Sequence, residues 1–168
     1  MKSLARKILG GGPVRAVTLF ICGLLYNVGR LASYCRARAL FPGSDLVCHW
    51  SSEIKCPQNI TLGKRVIIGS QCTIGAVAPV YLGDDVLLSK NVFIDTGTAD
   101  ISTPVPYAKL SKPIRIEDGV WIGAGAMIMA GVTIGRNSIV AAGTIVRKSV
   151  PADSFVTSER PRVQPFRA

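Results

Sequence analysis

Ile114-Arg115-Ile116-Glu117-Asp118-Gly119-Val120-Trp121-Ile122-Gly123-Ala124-Gly125-Ala126-Met127-Ile128-Met129-Ala130-Gly131-Val132-Thr133-Ile134-Gly135 is the stretch that decides the fold. It reads apolar, any residue, apolar, then a turn, and it renews itself every six residues. Residues two apart on a strand face the same side, so each apolar pair is one inward step of a coil. The pattern continues outward from this stretch. Upstream lie Ile60/Leu62, Val66/Ile68, Cys72/Ile74, Val80/Leu82, Val86/Leu88 and Val92/Ile94, and downstream lie Ser138/Val140 and Thr144/Val146. A helix at 3.6 residues per turn would scatter these pairs around its circumference. Six residues per side and three sides predict an all-β solenoid with coils of about eighteen residues, stacked about 4.8 Å apart. Gly63, Gly69, Gly75, Gly83, Gly123 and Gly135 follow their pairs directly, where a tight corner favours a residue without Cβ. The period itself is silent on handedness, and the general crossover preference is right-handed.

Two interruptions break the period. Residues 76–79 add two residues at one corner, and residues 95–113 form a larger insertion carrying Pro104, Pro106, Tyr107, Lys109 and Lys112. A protruding loop of this size in a regular repeat points to function. The division read from the chain is a basic N-terminal helical segment over 1–42, the repeat over 43–150, and a cap with a basic tail over 151–168. Phe155 and Phe166 are expected to cover the last coil.

The net charge of +10 is concentrated at one end. Residues 1–44 hold Lys2, Arg6, Lys7, Arg15, Arg30, Arg36 and Arg38 with no acid, leaving +3 for the other 124 residues. A single local cluster favours an anionic surface such as lipid headgroups, and no nucleic-acid motif accompanies it. Residues 14–39 fit one helix, within which 16–29 are 14 uncharged residues, fewer than the roughly 20 needed to span a bilayer. Two readings fit. The helix caps the open first coil, or it lies in the membrane surface with its cations towards headgroups. Cys22, Cys35, Cys48, Cys56 and Cys72 are an odd set without C-x-x-C spacing, which favours a reducing cytoplasm over a disulfide framework. Cys72 falls on an inward position and reads as a small buried hydrophobe.

Residues 112–124, KPIRIEDGVWIGA, resemble the K-P-I-x-I-x-D-x-x-W-I-G-A core of the hexapeptide-repeat acetyltransferases. Gly131-Val132-Thr133-Ile134-Gly135 is similar to their P-G-V-T-I-G with Ala130 in place of Pro, and 141–146, AAGTIV, to their G-A-G-S-V-V. The similarity covers about residues 54–156 and is nearest to the colanic-acid, nodulation and maltose or galactoside O-acetyltransferases. It implies a left-handed parallel β-helix, a homotrimer with sites between subunits, acetyl-CoA as co-substrate with no metal, and a sugar or glycan acceptor in bacterial polysaccharide synthesis. By position it assigns Ala124 and Ala142 to the CoA arm and Trp121 to the wall of the thioester site. Arg147, Lys148 and Arg162 fall near the cofactor's phosphates; a solvated charged surface is the plainer reading of these three.

The sequence departs from that family at the acceptor side. The family's T-G-S-H-D, whose histidine acts as general base, stands here as Thr96-Gly97-Thr98-Ala99-Asp100, and Ala99 cannot accept a proton. Positions that hold polar acceptor contacts correspond to Ser70 and Ala76. The only histidine, His49, precedes the first clear pair, roughly 10 Å along the axis from Ala99 at about 4.8 Å per coil. Asp100 and Asp95 are the remaining candidate bases, although an ordinary carboxylate is a weak base for a sugar hydroxyl. Two functions follow: an O-acetyltransferase at the cytoplasmic side of the membrane, or a non-catalytic trimer serving as a partner in polysaccharide assembly. One histidine rules out the three zinc ligands of a γ-class carbonic anhydrase, and the chain lacks the regular outward threonine columns of an ice-binding solenoid.

Overall fold

Every apolar pair in the repeat turns inward, and the three sides of the coil stack into three parallel sheets around one core. The computed structural model describes residues 12–158, with side chains from residue 16 onward. The first face stacks Val47–Cys48, Ile67–Ile68, Leu87–Leu88, Trp121–Ile122, Ile139–Val140 and Phe155–Val156. The second stacks Glu53–Lys55, Thr73–Gly75, Phe93–Asp95, Met127–Ile128 and Ile145–Val146, and the third Ile60–Leu62, Val80–Leu82, Ile114–Ile116 and Thr133–Ile134. Ile74, Leu88, Ile94, Ile122, Ile128 and Ile134 are fully buried along the axis. Ser138, polar at an inward position of the last coils, is satisfied: its hydroxyl donates to the Pro151 carbonyl at 2.9 Å and accepts from Ser154 N–H at 3.2 Å.

Coil length is not constant. Val47 pairs with Ile67 and Ile67 with Leu87, twenty residues apart, whereas Trp121 pairs with Ile139 after eighteen. The two extra residues at 76–79 are present, and a third interruption accompanies them. Pro57–Asn59 forms a 3-10 turn behind Cys56, which takes a left-handed conformation at φ 54°. The glycines after each pair answer to close stacking. A Cβ on Gly123 would lie 2.5 Å from the Ala142 nitrogen of the next coil. The left-handed turn positions fall elsewhere and are filled by Arg65, Gln71, Asp85, Asn91 and Asn137 as well as by glycine.

The insertion is a β-hairpin. Gly97–Asp100 pairs antiparallel with Ala108–Ser111, placing Ala99 opposite Lys109. At the other end the expectation for Phe155 is corrected. Phe155 registers with outward Ile139 and is 68% exposed, while Val156, in register with inward Val140, packs against the core. Strand alternation fixes that choice. Phe166 lies outside the described residues.

The outward rows differ in chemistry. On the first face they read Val47, Ile67, Leu87, Trp121, Ile139 and Phe155 in register, all apolar. On the third face they read Thr61, Tyr81, Arg115 and Thr133, with the Arg115 guanidinium 4.4 Å above the Tyr81 ring. Helix α1, Gly12–Leu40, meets the solenoid through its C-terminal part, where Ala37 is buried and Leu40 packs on the core.

Candidate active site

Two corners of the coil frame the second face, and the residues singled out in the sequence divide between them. At the corner between first and second faces, Lys90, Ala124 and Ala142 lie one above another. Gly125 N–H donates to the Lys90 carbonyl at 3.0 Å and Gly143 N–H to the Ala124 carbonyl at 2.8 Å. Ala124 is half-buried and Ala142 exposed. With methyl side chains on two successive coils, the backbone at this edge is open to an extended ligand. Trp121 lies on the first face beside the corner, 48% exposed, and its indole N–H donates to Ser89 Oγ at 2.9 Å. That bond fixes the ring against the coil below.

On the second face the outward row reads Glu53, Thr73, Phe93, Met127 and Ile145, so its last three coils form an apolar floor between the corners. At the far corner, between second and third faces, the hairpin projects. Thr96, fully buried, roots it: its hydroxyl donates to the Gly75 carbonyl at 2.9 Å and accepts from Ala78 N–H at 3.0 Å. Sequence reasoning assigned Thr96 no role; the only available signal was a hydroxyl at the position where the repeat breaks. Arg147 and Lys148 occupy this same corner two coils beyond Asp95 and Thr96, about 10 Å along the axis, and both are exposed. A depression over the last coils joins the corners, lined by Gly143, Ile145, Arg147, Lys148, Thr157 and Ser158. Arg162 lies outside the described residues.

The carboxylates at the hairpin are committed to its turns. Asp95 Oδ1 accepts from Gly97 N–H at 2.8 Å. Asp100 Oδ1 accepts from the Ser102 hydroxyl at 2.6 Å and from Ser102 N–H at 3.0 Å. These bonds, the hydroxyl's first, hold the Asp100 carboxyl below its ordinary value, which makes it a poorer base than a free aspartate. Ala99 is exposed on the hairpin. Ala76 is fully buried and cannot touch an acceptor, whereas Val77 and Pro79 at that corner are exposed. His49 belongs to the first coil, where Nδ1 lies 2.8 Å from Ser51 Oγ. The structure thus brings Ala124, Ala142 and Trp121 together at one corner, and Asp95, Ala99 and Asp100 at the other, with buried Ala76 one coil below and Arg147 and Lys148 two coils beyond, while His49 stands apart. Cys48 and Cys72 are core residues, and burial pushes the Cys48 thiol up to about 11.

A three-sided parallel β-helix with a small-residue corner and a hairpin insertion defines a class of hexapeptide-repeat transferases. Residues 113–148 match the family described as bacterial transferase hexapeptide (six repeats), and residues 59–96 match the hexapeptide repeat of succinyl-transferase. A Schizosaccharomyces pombe protein named as a candidate acetyltransferase is 36% identical over 143 residues, 79% of this chain and 69% of the relative. The galactoside O-acetyltransferase of Lactococcus lactis is 33% identical over 96 residues, 56% of this chain and 46% of the relative, so the chain spans about half of that protein. Among solved structures, a hexapeptide-repeat-containing acetyltransferase of Vibrio cholerae complexed with acetyl coenzyme A superposes with a TM-score of 0.69 at 26% identity. The superposition covers 89% of this chain and 86% of the other. The chain belongs to the hexapeptide-repeat acetyltransferase family, and its chemistry is acyl transfer.

Proposed function

We propose that this protein moves an acetyl group from acetyl-CoA to a hydroxyl of a saccharide acceptor in polysaccharide or glycan assembly. The observation that carries the reading is the stacked Ala124–Ala142 edge leading to the Arg147–Lys148 corner. An open backbone edge suits a pantetheine arm, and two cations suit phosphates. The Vibrio cholerae structure, alike over most of both chains, holds acetyl coenzyme A. The acceptor oxygen bonds to the thioester carbonyl carbon, the C–S bond breaks, and the hydroxyl proton ends on the released thiol. The saccharide half of the reading is supported by the galactoside relative. Acetyl-CoA as donor fits a cytoplasmic reaction.

Assembly belongs to the same reading. The apolar outward row from Val47 to Phe155 fits burial against further copies of the chain, and a homotrimer completes each site between neighbours. A second reading is favoured by one specific feature: Ala99 supplies no base, and Asp100 is turned into Ser102. On that reading the trimer is a silent scaffold. An acetyl-CoA assay with a panel of oligosaccharides separates the two. Acceptor-dependent CoA release with an O-acetylated product supports transfer, and its absence in protein that binds acetyl-CoA supports the scaffold.

A further inference from the structure

Helix α1 turns the wrong side to the solenoid for a capping helix. Val17, Phe20, Ile21, Leu24, Leu25, Val28 and Leu31 fall within a sector of roughly 140° at 100° per residue. All seven are exposed, Phe20 at 73% and Leu25 at 64%. The side facing the first coil is the opposite one. There a Cβ on Gly29 would lie 3.3 Å from Trp50 Nε1, Ser33 Oγ accepts from Trp50 N–H at 3.0 Å, and Ala37 is buried. A helix evolved only to close the coil would place the Leu, Ile and Phe sector inward.

We propose that this outward sector seats α1 in the plane of an anionic lipid bilayer, with the solenoid carried on its other side. Three observations select lipid. The sector is apolar along its whole length, with no polar group among its seven residues. A cation marks its edge: Arg38 is exposed and falls there by the same helical spacing, and no acid occurs before Asp45. At that edge the Arg38 guanidinium lies 5.3 Å over the Tyr34 ring, pairing aromatic and cation as the headgroup boundary favours. By length and composition α1 is sufficient to cross a bilayer. Its uncharged run of 14 residues, however, rises only about 21 Å before Arg30 interrupts it, short of the roughly 30 Å hydrocarbon core, and this favours the surface. The opposite side, with Gly29, Ser33 and Cys22 and with the exposed Leu19 and Tyr26, stays with protein and water.

The test is flotation of the full chain with vesicles of phosphatidylcholine alone and of phosphatidylcholine and phosphatidylglycerol in equal parts. The parent floats with the anionic vesicles and much less with the neutral ones, and added salt weakens it. Leu24→Glu with Val28→Glu lowers the bound fraction at least about tenfold, whereas Cys22→Glu on the other side leaves it unchanged. The melting temperature of the solenoid, measured alongside, stays the same in all three. A parent that remains in the dense fraction with both vesicles overturns the proposal. So does equal loss on Cys22→Glu, which describes a helix crossing the bilayer. If the double variant floats like the parent but forms a smaller assembly by mass photometry, the sector is covered by a second copy and lipid is the wrong occupant.

Discussion

Replacing Ala99 by histidine isolates the missing chemical step. Ala99 is exposed on a hairpin strand with Lys109 opposite it, so the new side chain enters solvent-accessible space. The change in stability should stay within about 0.5 kcal/mol, as for surface sites generally. An imidazole has an ordinary pKa of about 6.5, and the Lys109 cation across the hairpin presses it downward, so by pH ~7.5 it is mostly the neutral, proton-accepting form. A positioned base is worth about 10²–10⁴ in rate, roughly 3–5 kcal/mol of barrier. The assay follows acceptor-dependent release of free CoA with a thiol reagent, for the parent and Ala99→His, across pH. The variant should gain within that range in kcat/KM, with a rate that climbs and then levels near the imidazole pKa, a limb absent in the parent. A variant that binds acetyl-CoA as the parent does and shows no gain would refute the reasoning. The acceptor side, where Ala76 is buried away, would then be the part that fails.

Other outcomes test separate links. Asp100→Asn should leave turnover unchanged, because the carboxylate is held by Ser102; a large fall in kcat at constant KM would make Asp100 the base after all. Gly123→Ala forces a Cβ to within 2.5 Å of the Ala142 nitrogen, and overpacking of this kind destabilises by about 1–3 kcal/mol, read as a lower melting temperature. Arg147→Ala with Lys148→Ala should weaken acetyl-CoA binding about tenfold or more at low salt, with the difference shrinking as salt rises, by calorimetry. Cys48, whose thiol is raised from 9.0 to about 11 by burial, should resist a thiol reagent in the native protein at neutral pH while exposed Cys22 and Cys35 react. Because the folded form holds that proton more tightly, Cys48 adds stability below about pH 9 that is lost as pH climbs towards 11.

The core was legible because inward residues repeat strictly and the interior is apolar apart from a few small hydroxyl side chains such as Ser138 and Thr144, so every pair from Ile60/Leu62 to Thr144/Val146 was readable from the chain. The extra residues at Pro57–Asn59 escaped because Ile60 stands six residues after Ile54 and mimics the unbroken period, while register matches Leu62 with Leu82 and Ile116. The hairpin was readable only as an insertion. Both of its strands are exposed along most of their length, so no burial pattern imposed alternation on Gly97–Asp100 or Ala108–Ser111. Phe155 was misplaced because aromatic character alone does not say which side of a strand faces the core. For the site, the spacing of Ala124 and Ala142 foretold their stacking, but the hold of Ser102 on Asp100 depends on a turn that spacing does not encode. Composition shows that α1 is apolar; which side of it the solenoid occupies depends on the contacts of Gly29 and Ser33 with Trp50 and on the burial of Ala37, which composition does not encode.

Acyl transfer itself is most directly tested by mass analysis of oligosaccharide acceptors incubated with the full-length protein and acetyl-CoA. The account predicts acceptors heavier by one acetyl group, ester-linked and removable by mild alkali, formed in step with CoA release and reduced by Arg147→Ala with Lys148→Ala. Protein that binds acetyl-CoA but acetylates no saccharide, with Ala99→His equally inert, would contradict it and leave the silent scaffold as the function of this fold.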